Sequence, residues 1–437
     1  MNSLLGYRHT ILKKATSLST PALSLTKNTN MTSTQYQPPQ YNHACQHMFY
    51  LNYRHFSSSP AHTPRLHHDF KFDRFNIIRE EPKGHHKVLE VKNQNGVHYF
   101  AKKIAEVDPL SGTVSDIKSE FYAKKEVLAG WLLHIILGEA HTPILSIKKS
   151  HSEQGNWWIF SKKIDPFYDS SHFDAEEPFV VQNGQTHIKT KSGQLWAVFG
   201  RTRIKMVLNL LQELDPNFEQ NIGVSSKHCH IIPHAIDGQQ QPLYLFPLIC
   251  IDPEFSLPSK DQIIQMCDTA SYKGPSPINL DLESYPDIFV EKLVRNFFSN
   301  QHRSIFTGPY PQLSLGEKII HKRKEAALDT LKKINNLTPA IVLNMVNALF
   351  SESFLEEHAN YKTMLTSILT SFFERKFCFD TSYTLITDIL SKQADPNNKI
   401  PLSDCIDTLL DARLERFSEN KRQELSHNSA QFDLLSK

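Results

Sequence analysis

Between residues 72 and 104 the chain alternates apolar and polar positions with a period of two. Phe72–Arg79 (FDRFNIIR) alternates weakly, and Lys87–Lys92 (KVLEVK) and Val97–Ile104 (VHYFAKKI) do so more regularly; each predicts a half-buried strand. Lys83-Gly84-His85-His86 predicts a turn between the first two. Asn93–Gly96 (NQNG) ends in a dipeptide suited to positive φ and predicts a hairpin between the second and third. The period then changes. Ser115–Leu137 predicts a long helix closed by Gly138. Strands follow at Ile144–Lys149 and Trp157–Ile164 (WWIFSKKI), separated by a turn at Gln154-Gly155-Asn156. The order is strand, strand, strand, helix, strand, strand.

Residues 170–194 are polar and loop-like, with a short hairpin around Asn183-Gly184. The apolar positions Leu195, Val198, Phe199, Met206, Leu210 and Leu211 predict one helix over Leu195–Leu214. A loop over Asp215–Asn221, a short strand at Ile222–Val224 and two strands about the Asp237-Gly238 turn come next. The second of these, Leu243–Ile251 (LYLFPLICI), is apolar throughout and is expected to be fully buried. It ends in Asp252-Pro253-Glu254. From about Lys260 onward the pattern is helical. Ser314–Leu337 opens on a Ser-x-x-Glu capping box, and Thr338-Pro339 supplies an N-cap and a first-turn proline for the next helix. Further helices are expected over 352–376, 381–393 and 402–422. No internal repeat is found. The fold class read from this pattern is α+β.

Composition divides the chain further. Its 437 residues are ample for a buried core, and the formal net charge is only +2, so nucleic acid is not an expected partner. The balance is uneven, however. Residues 1–68 contain no Asp or Glu and six Lys or Arg, so the remainder stands at −4 after those six are taken from +2. Few aliphatic residues there could offset the entropy of ordering, and the segment is expected to be disordered. Residues 1–30 also have the basic, Ser/Thr-rich look of a mitochondrial transit peptide; the alternative is a plain tail, or an early start codon with Met31 or Met48 following. No apolar run is long enough for a transmembrane helix. The six cysteines form no CxxC pair and are expected to be reduced. His228-Cys229-His230 alternates in an expected strand, which reads as a polar pair rather than a zinc site. Two basic clusters stand out: Lys318, Lys322, Arg323, Lys324, Lys332 and Lys333 on one helix, and Arg201, Arg203 and Lys205 on another. A solvated face is the plain reading of both, and a phosphoinositide or inositol phosphate site the sharper one.

The chemistry-bearing residues gain meaning from their order. A lysine, Lys102 or Lys103, ends the third strand. A glutamate, Glu126 or six residues earlier Glu120, sits in the helix that follows. Asp215 and Asn221 flank a loop before a short strand, and Asp252 ends a buried strand, where an acid is costly unless paired or bound to metal. VHYFAKKI resembles the V-A-I-K element of kinases, and KEVLAGWLLHIILG resembles the corresponding helix of HipA-like atypical kinases. The ending Ile251-Asp252 looks like that of HipA-like and phosphoinositide-kinase-like proteins. Over about residues 70–260 the chain thus resembles atypical kinases of the HipA and lipid-kinase-like branch, as found among secreted bacterial effector kinases.

That resemblance implies a two-lobed protein-kinase-like fold, with a catalytic core over 69–260 (first lobe about 69–165, start of the second 166–260). Residues 261–437 form a helical completion or extension. It implies an ATP- and Mg²⁺-dependent phosphotransferase in which Lys102 (or Lys103) holds the nucleotide phosphates and Glu126 orients it. Asn221 and Asp252 hold Mg²⁺, Asp215 positions the acceptor hydroxyl, and amides near Gly84 approach phosphate. The pattern departs from the family at two points. Glu80–His86 (EEPKGHH) has one glycine where typical kinases have three, and the Asp215–Asn221 separation is one residue longer than usual. The acceptor is a protein or a lipid, and the location cytoplasmic or secreted into a host cell. Two alternatives stay open: a catalytically inactive pseudokinase or adaptor, and a kinase-fold AMP transferase.

Overall fold

The computed structural model describes residues 75–413, apart from 82–85, 109–110, 151–156, 175–176, 183–184, 215–220, 237–238, 255, 260–261, 263–285, 300–314 and 396. All of them belong to the second of two units into which the chain divides, Thr63–Lys437. The acid-free segment 1–68, Gly84 and Asp215 lie outside the described residues.

The molecule is α+β. Its first sheet contains β1 (Phe75–Glu81), β2 (Val88–Asn93), β3 (His98–Ile104), β4 (Leu145–Lys149) and β5 (Trp157–Lys162), in the order β1-β2-β3-β5-β4 and antiparallel throughout. The β2–β3 hairpin closes as its dipeptide requires: Gly96 takes φ 79°, and the Asn93 side chain accepts from the Val97 amide at 2.9 Å. Between β3 and β4 runs α1 (Asp116–Leu137). The Ser115 hydroxyl accepts from the Lys118 amide at its start, and Gly138 ends it at φ 87°. From Val127 to Leu137 this helix is apolar on nearly every side because it is covered on nearly every side, by the first sheet and by later helices.

Glu90 in β2 ties the sheet together. Its carboxylate accepts from Arg79 Nε at 2.8 Å, His98 Nδ1 at 2.9 Å and Lys163 Nζ at 2.7 Å. Burial alone would raise its pKa, but the bonds from Lys163, His98 and Arg79 outweigh that and hold it at about 2. A carboxylate depressed in the folded state contributes stability that is present above its ordinary value of 4.5 and is lost as pH falls toward about 2. Urea titrations between those limits are expected to show the native chain losing more stability than Glu90→Gln; equal acid sensitivity would refute the assignment.

The second sheet contains β6 (Phe179–Gln182), β7 (Gln185–Lys189), β8 (Leu195–Phe199), β9 (Ile222–Val224), β10 (His230–Ile236) and β11 (Gln239–Cys250). Its order is β10-β11-β8-β7-β6, with β9 pairing β11. Here the expectation of one helix over Leu195–Leu214 fails. Leu195–Phe199 is a strand, antiparallel to β7 and parallel to β11, and only Arg201–Leu211 is helical (α2). Trp196, Val198 and Phe199 suit a pleated surface, and Gly200 at φ 97° breaks the chain between the two. His228 and His230 do not share a strand face either: His228 ends a single 3₁₀ turn, Ser226–His228, and His230 begins β10.

The long β11 is shared between partners. Its first part pairs with β10, and Leu248, Ile249 and Cys250 pair with Val224, Gly223 and Ile222 of β9. Leu245, Leu248, Ile249 and Cys250 are buried as expected, while Tyr244 is exposed. Gly223 permits a close crossing. A Cβ there would lie 2.4 Å from the Phe167 ring and 2.6 Å from the Tyr168 carbonyl, which itself accepts from the Val224 amide and cannot retreat. Gly223→Ala is expected to cost about 1–3 kcal/mol, read as a lower urea midpoint; an unchanged midpoint would refute the packing.

The described residues after these strands include the helices α3 (Pro286–Phe298), α4 (Leu315–Asn335), α5 (Pro339–Leu349), α6 (Glu352–Glu357), α7 (Ala359–Ala394) and residues 402–413. The Thr338 hydroxyl caps α5 by accepting from the Ile341 amide. The expected break between 376 and 381 is absent, and α7 runs unbroken for 36 residues. Thr381 and Ser382 look like a helix start, but their hydroxyls donate to the Phe377 and Cys378 carbonyls one turn back, which keeps them inside the helix. Among the described residues no helix is long and apolar enough to cross a membrane.

Candidate active site

Alternation along β3 puts Lys102 on the face of Ile104, toward α1, and Lys103 on the other. The consequence is a difference in surroundings. Lys102 is 9% exposed, and its Nζ donates to both carboxylate oxygens of Glu126, at 3.2 and 3.3 Å. Glu126 lies on α1 and is 3% exposed. Glu120, the alternative, instead pairs with Lys124 on its own helix.

Lys102 has two further partners. It donates to Asp252 Oδ1 at 2.8 Å and to Glu254 Oε2 at 2.6 Å. Both follow β11, so the pairing of β11 with β9 decides where they stand. The Ile251 amide donates to the Asn221 carbonyl at 2.9 Å, which sets Asn221 across from the residue before Asp252. Asp252 has φ 57°, in the left-handed region. That conformation is unfavourable for most side chains and tolerated by Asp, and it occurs where a strand must turn its end residue into a site. Thus Lys102, Glu126 and Asp252 come together, with Asn221 beside the last at backbone level. Asp215 and Gly84 fall outside the described residues.

Three groups here escaped sequence reasoning. Glu254 is the first; a carboxylate in a Pro-containing turn gave no sign that it would face a lysine so far away in the chain. The second is His86, whose Nε2 bonds Glu254 Oε1 at 2.7 Å and so attaches the chain after β1 to the segment after β11. The third is a brace beneath that segment. Buried Lys125 donates to the Ser256 carbonyl at 3.0 Å, the Ser256 hydroxyl donates to Glu213, and the Leu257 amide donates to the Leu211 carbonyl at 2.7 Å. Burial pulls Lys125 down to about 8, with Glu213 opposing.

The electrostatics of the cluster are unbalanced. One ammonium faces three carboxylates, and oxygens of Glu126, Asp252 and Glu254 all lie within 4.8 Å of one another. Burial pulls the Lys102 pKa down, but Asp252, Glu126 and Glu254 together more than reverse that, so Lys102 stays charged. Burial pushes Glu126 up, against the pull of Lys102. Glu254 resists burial through its bond with His86 and its contact with Lys102, and is held at about 2. The same hydrogen bond raises His86 against the effect of its own burial. Clustered negative charge is what a divalent cation would relieve, and three carboxylates are a donor set suited to a hard divalent cation such as Mg²⁺.

His141 supports the site from beneath. Its backbone carbonyl accepts from the Cys250 amide at 2.7 Å, and its Nδ1 lies 2.8 Å from the Leu248 carbonyl. A carbonyl can only accept, so Nδ1 bears the proton and Nε2 accepts from Arg203 Nη1 at 3.0 Å. Burial and the neighbouring Arg203 hold this imidazole neutral, at about 3. No family model matches the chain, and no curated protein matches it.

Proposed function

We propose that this chain is an ATP- and Mg²⁺-dependent phosphotransferase with a two-lobed, atypical kinase-like fold, acting on a protein or lipid hydroxyl. The observation that supports this reading best is the buried Lys102–Glu126 pair placed against Asp252 at the end of the β9–β11 ladder. In phosphoryl transfer the protein contributes position and charge rather than covalent chemistry. Lys102, kept charged by its acidic neighbours, would hold nucleotide phosphate oxygens, and Glu126 fixes its direction. Asp252 and Asn221, with Glu254 as a further carboxylate, would hold Mg²⁺, which when bound supplies charge neutralisation at the phosphates. Asp215 remains the proposed acceptor-side residue.

A second reading rests on one contact. Glu254 accepts from Lys102 Nζ at 2.6 Å and so engages the ammonium that a nucleotide phosphate would need. If Glu254 stays there, the chain is a pseudokinase-like scaffold. Incubation with γ-labelled ATP and Mg²⁺, followed by intact mass and label counting, separates the readings. Transfer of label by the native chain, lost in Lys102→Ala, supports the enzyme; nucleotide-induced stabilisation without transfer supports the scaffold; neither response sinks both. A mass gain of the adenylyl group in place of the phosphoryl group would turn the reading to AMP transfer.

A further inference from the structure

The two basic clusters of the sequence meet. Arg201, Arg203 and Lys205 come from the start of α2 and Arg323 from α4, and all four line one cavity of about 190 Å³. Among the described residues no carboxylate lines it. Four basic side chains that share one concavity give it a positive potential that favours an anion. The cavity also receives the start of a helix. Gly200 occupies the N-cap with no side-chain acceptor to offer, so the positive end of α2 opens on Gly200, Arg201 and Thr202, which line the wall. A glycine there has its own reason: φ is 97°, and an added Cβ would lie 3.3 Å from the His141 ring.

The four cations are held differently. Arg203 is buried and anchored, donating to Thr330 Oγ1 at 2.7 Å and to His141 and Asp329. Arg201 lies over the Phe179 ring at 4.7 Å. Lys205 is exposed and Arg323 half-buried, the latter with its basicity lowered by burial. Other lysines of α4 are engaged elsewhere: Lys322 with Glu325, Lys333 with Asp329 and Lys324 with the Ser299 carbonyl. The basic stripe of α4 is therefore mostly paired or solvated, and Arg323 is its contribution to the cavity.

We infer that this cavity binds a phosphate monoester group, through Arg201, Arg323 and Lys205 and the amides that open α2. Basic side chains from two helices and the start of α2 converge on it, and guanidinium groups match phosphate geometry. Its volume is somewhat above the roughly 150 Å³ that holds a benzene-sized guest, which suits one phosphoryl group and part of its carrier. The carrier is either a soluble phosphate ester or a phosphorylated lipid headgroup.

The site is separate from Lys102 and Asp252, and calorimetric titration of the full chain tests it independently. Three probes are used: inorganic phosphate, inositol trisphosphate, and phosphatidylcholine vesicles with or without phosphatidylinositol bisphosphate. Inositol trisphosphate is expected to bind, to weaken with salt, and to lose roughly tenfold or more in affinity in Arg201→Gln/Arg323→Gln. Lys205→Gln, an exposed position, gives a smaller loss in the same direction and guards against misfolding of the double variant. Asp252→Asn is expected to bind as the native chain does, whatever happens to phosphoryl transfer. Binding to soluble probes alone assigns a soluble ester, and vesicle binding that depends on the bisphosphate assigns a headgroup. No binding of any probe, an affinity unchanged in both the double variant and Lys205→Gln, or a loss in Asp252→Asn equal to that in the double variant would overturn the inference.

Discussion

Asp252→Asn is expected to lower phosphoryl transfer from ATP by about 10²–10³-fold, the scale seen when one preorganised charge-stabilising group is removed from a transition-state site. Asn is the informative replacement. Asp252 stands at φ 57°, and Asn accepts the left-handed region almost as readily as Asp, so the variant removes charge and leaves the backbone alone. Asp252→Ala would add a backbone cost of about 1–2 kcal/mol and confuse two effects. The loss should fall mainly on kcat, because a group that neutralises developing charge acts more strongly in the transition state than in the bound ground state. Steady-state kinetics with saturating Mg²⁺ read the split. A native kcat in Asp252→Asn would remove Asp252 from the proposed site.

Much of the first sheet was legible in the sequence because its signals were local. Asn93–Gly96 contains its own turn chemistry, and Ser115 and Gly138 mark both ends of α1 within single residues. The β7–β8 strand pairing was less legible. Leu195–Phe199 and Arg201–Leu211 share apolar positions that fit a helical period when read as one segment. What separates them is Gly200, whose positive φ is set by the packing of His141 and β11, both distant in sequence. Likewise the break expected between 376 and 381 is absent: Thr381 and Ser382 are residues that cap a helix when its preceding turn is absent and bond back into it when that turn is present.

The site follows the same division. Lys102, Glu126, Asn221 and Asp252 were visible by their order along the chain, yet the choice between Lys102 and Lys103 needed the third dimension. Two adjacent lysines in a strand face opposite ways, and only the position of α1 says which way is inward. Glu254 and His86 were not legible at all, since their meaning lies in a contact spanning 168 residues. The basic clusters were each visible as runs of charge. That they line one cavity depends on α2 and α4 packing together, which no local pattern reports.

Lys102→Met should be the most destabilising single change in the site, at about 3–5 kcal/mol, because it removes the ammonium bonded to all three carboxylates and leaves that charge unpaired. The prediction distinguishes a functional cluster from a structural ion pair. In a structural pair each member stabilises, and removing an acid costs as much as removing the base. Here the acids are unequal. His86 and Lys102 hold Glu254 at about 2, well below its ordinary 4.5, so its charge stabilises the fold and Glu254→Gln should cost stability at neutral pH. Glu126→Gln should be cheap by contrast, because burial and the neighbouring Asp252 and Glu254 push that carboxyl up to about 8, close to the neutral form that Gln imitates. The double variant Lys102→Met/Glu254→Gln should lose less than the sum of the two single losses, with a coupling above about 1 kcal/mol, because the two residues are bonded to each other. Urea unfolding of all four variants in Mg²⁺-free buffer measures each value. Near-native stability in Lys102→Met, or strong destabilisation by Glu126→Gln, would mean that the charges are balanced. In that case the site would have no call for a divalent cation, and the argument for phosphate chemistry would lose its electrostatic footing. The expected asymmetry, by contrast, is what a protein shows when it holds repulsion in place for a ligand to relieve.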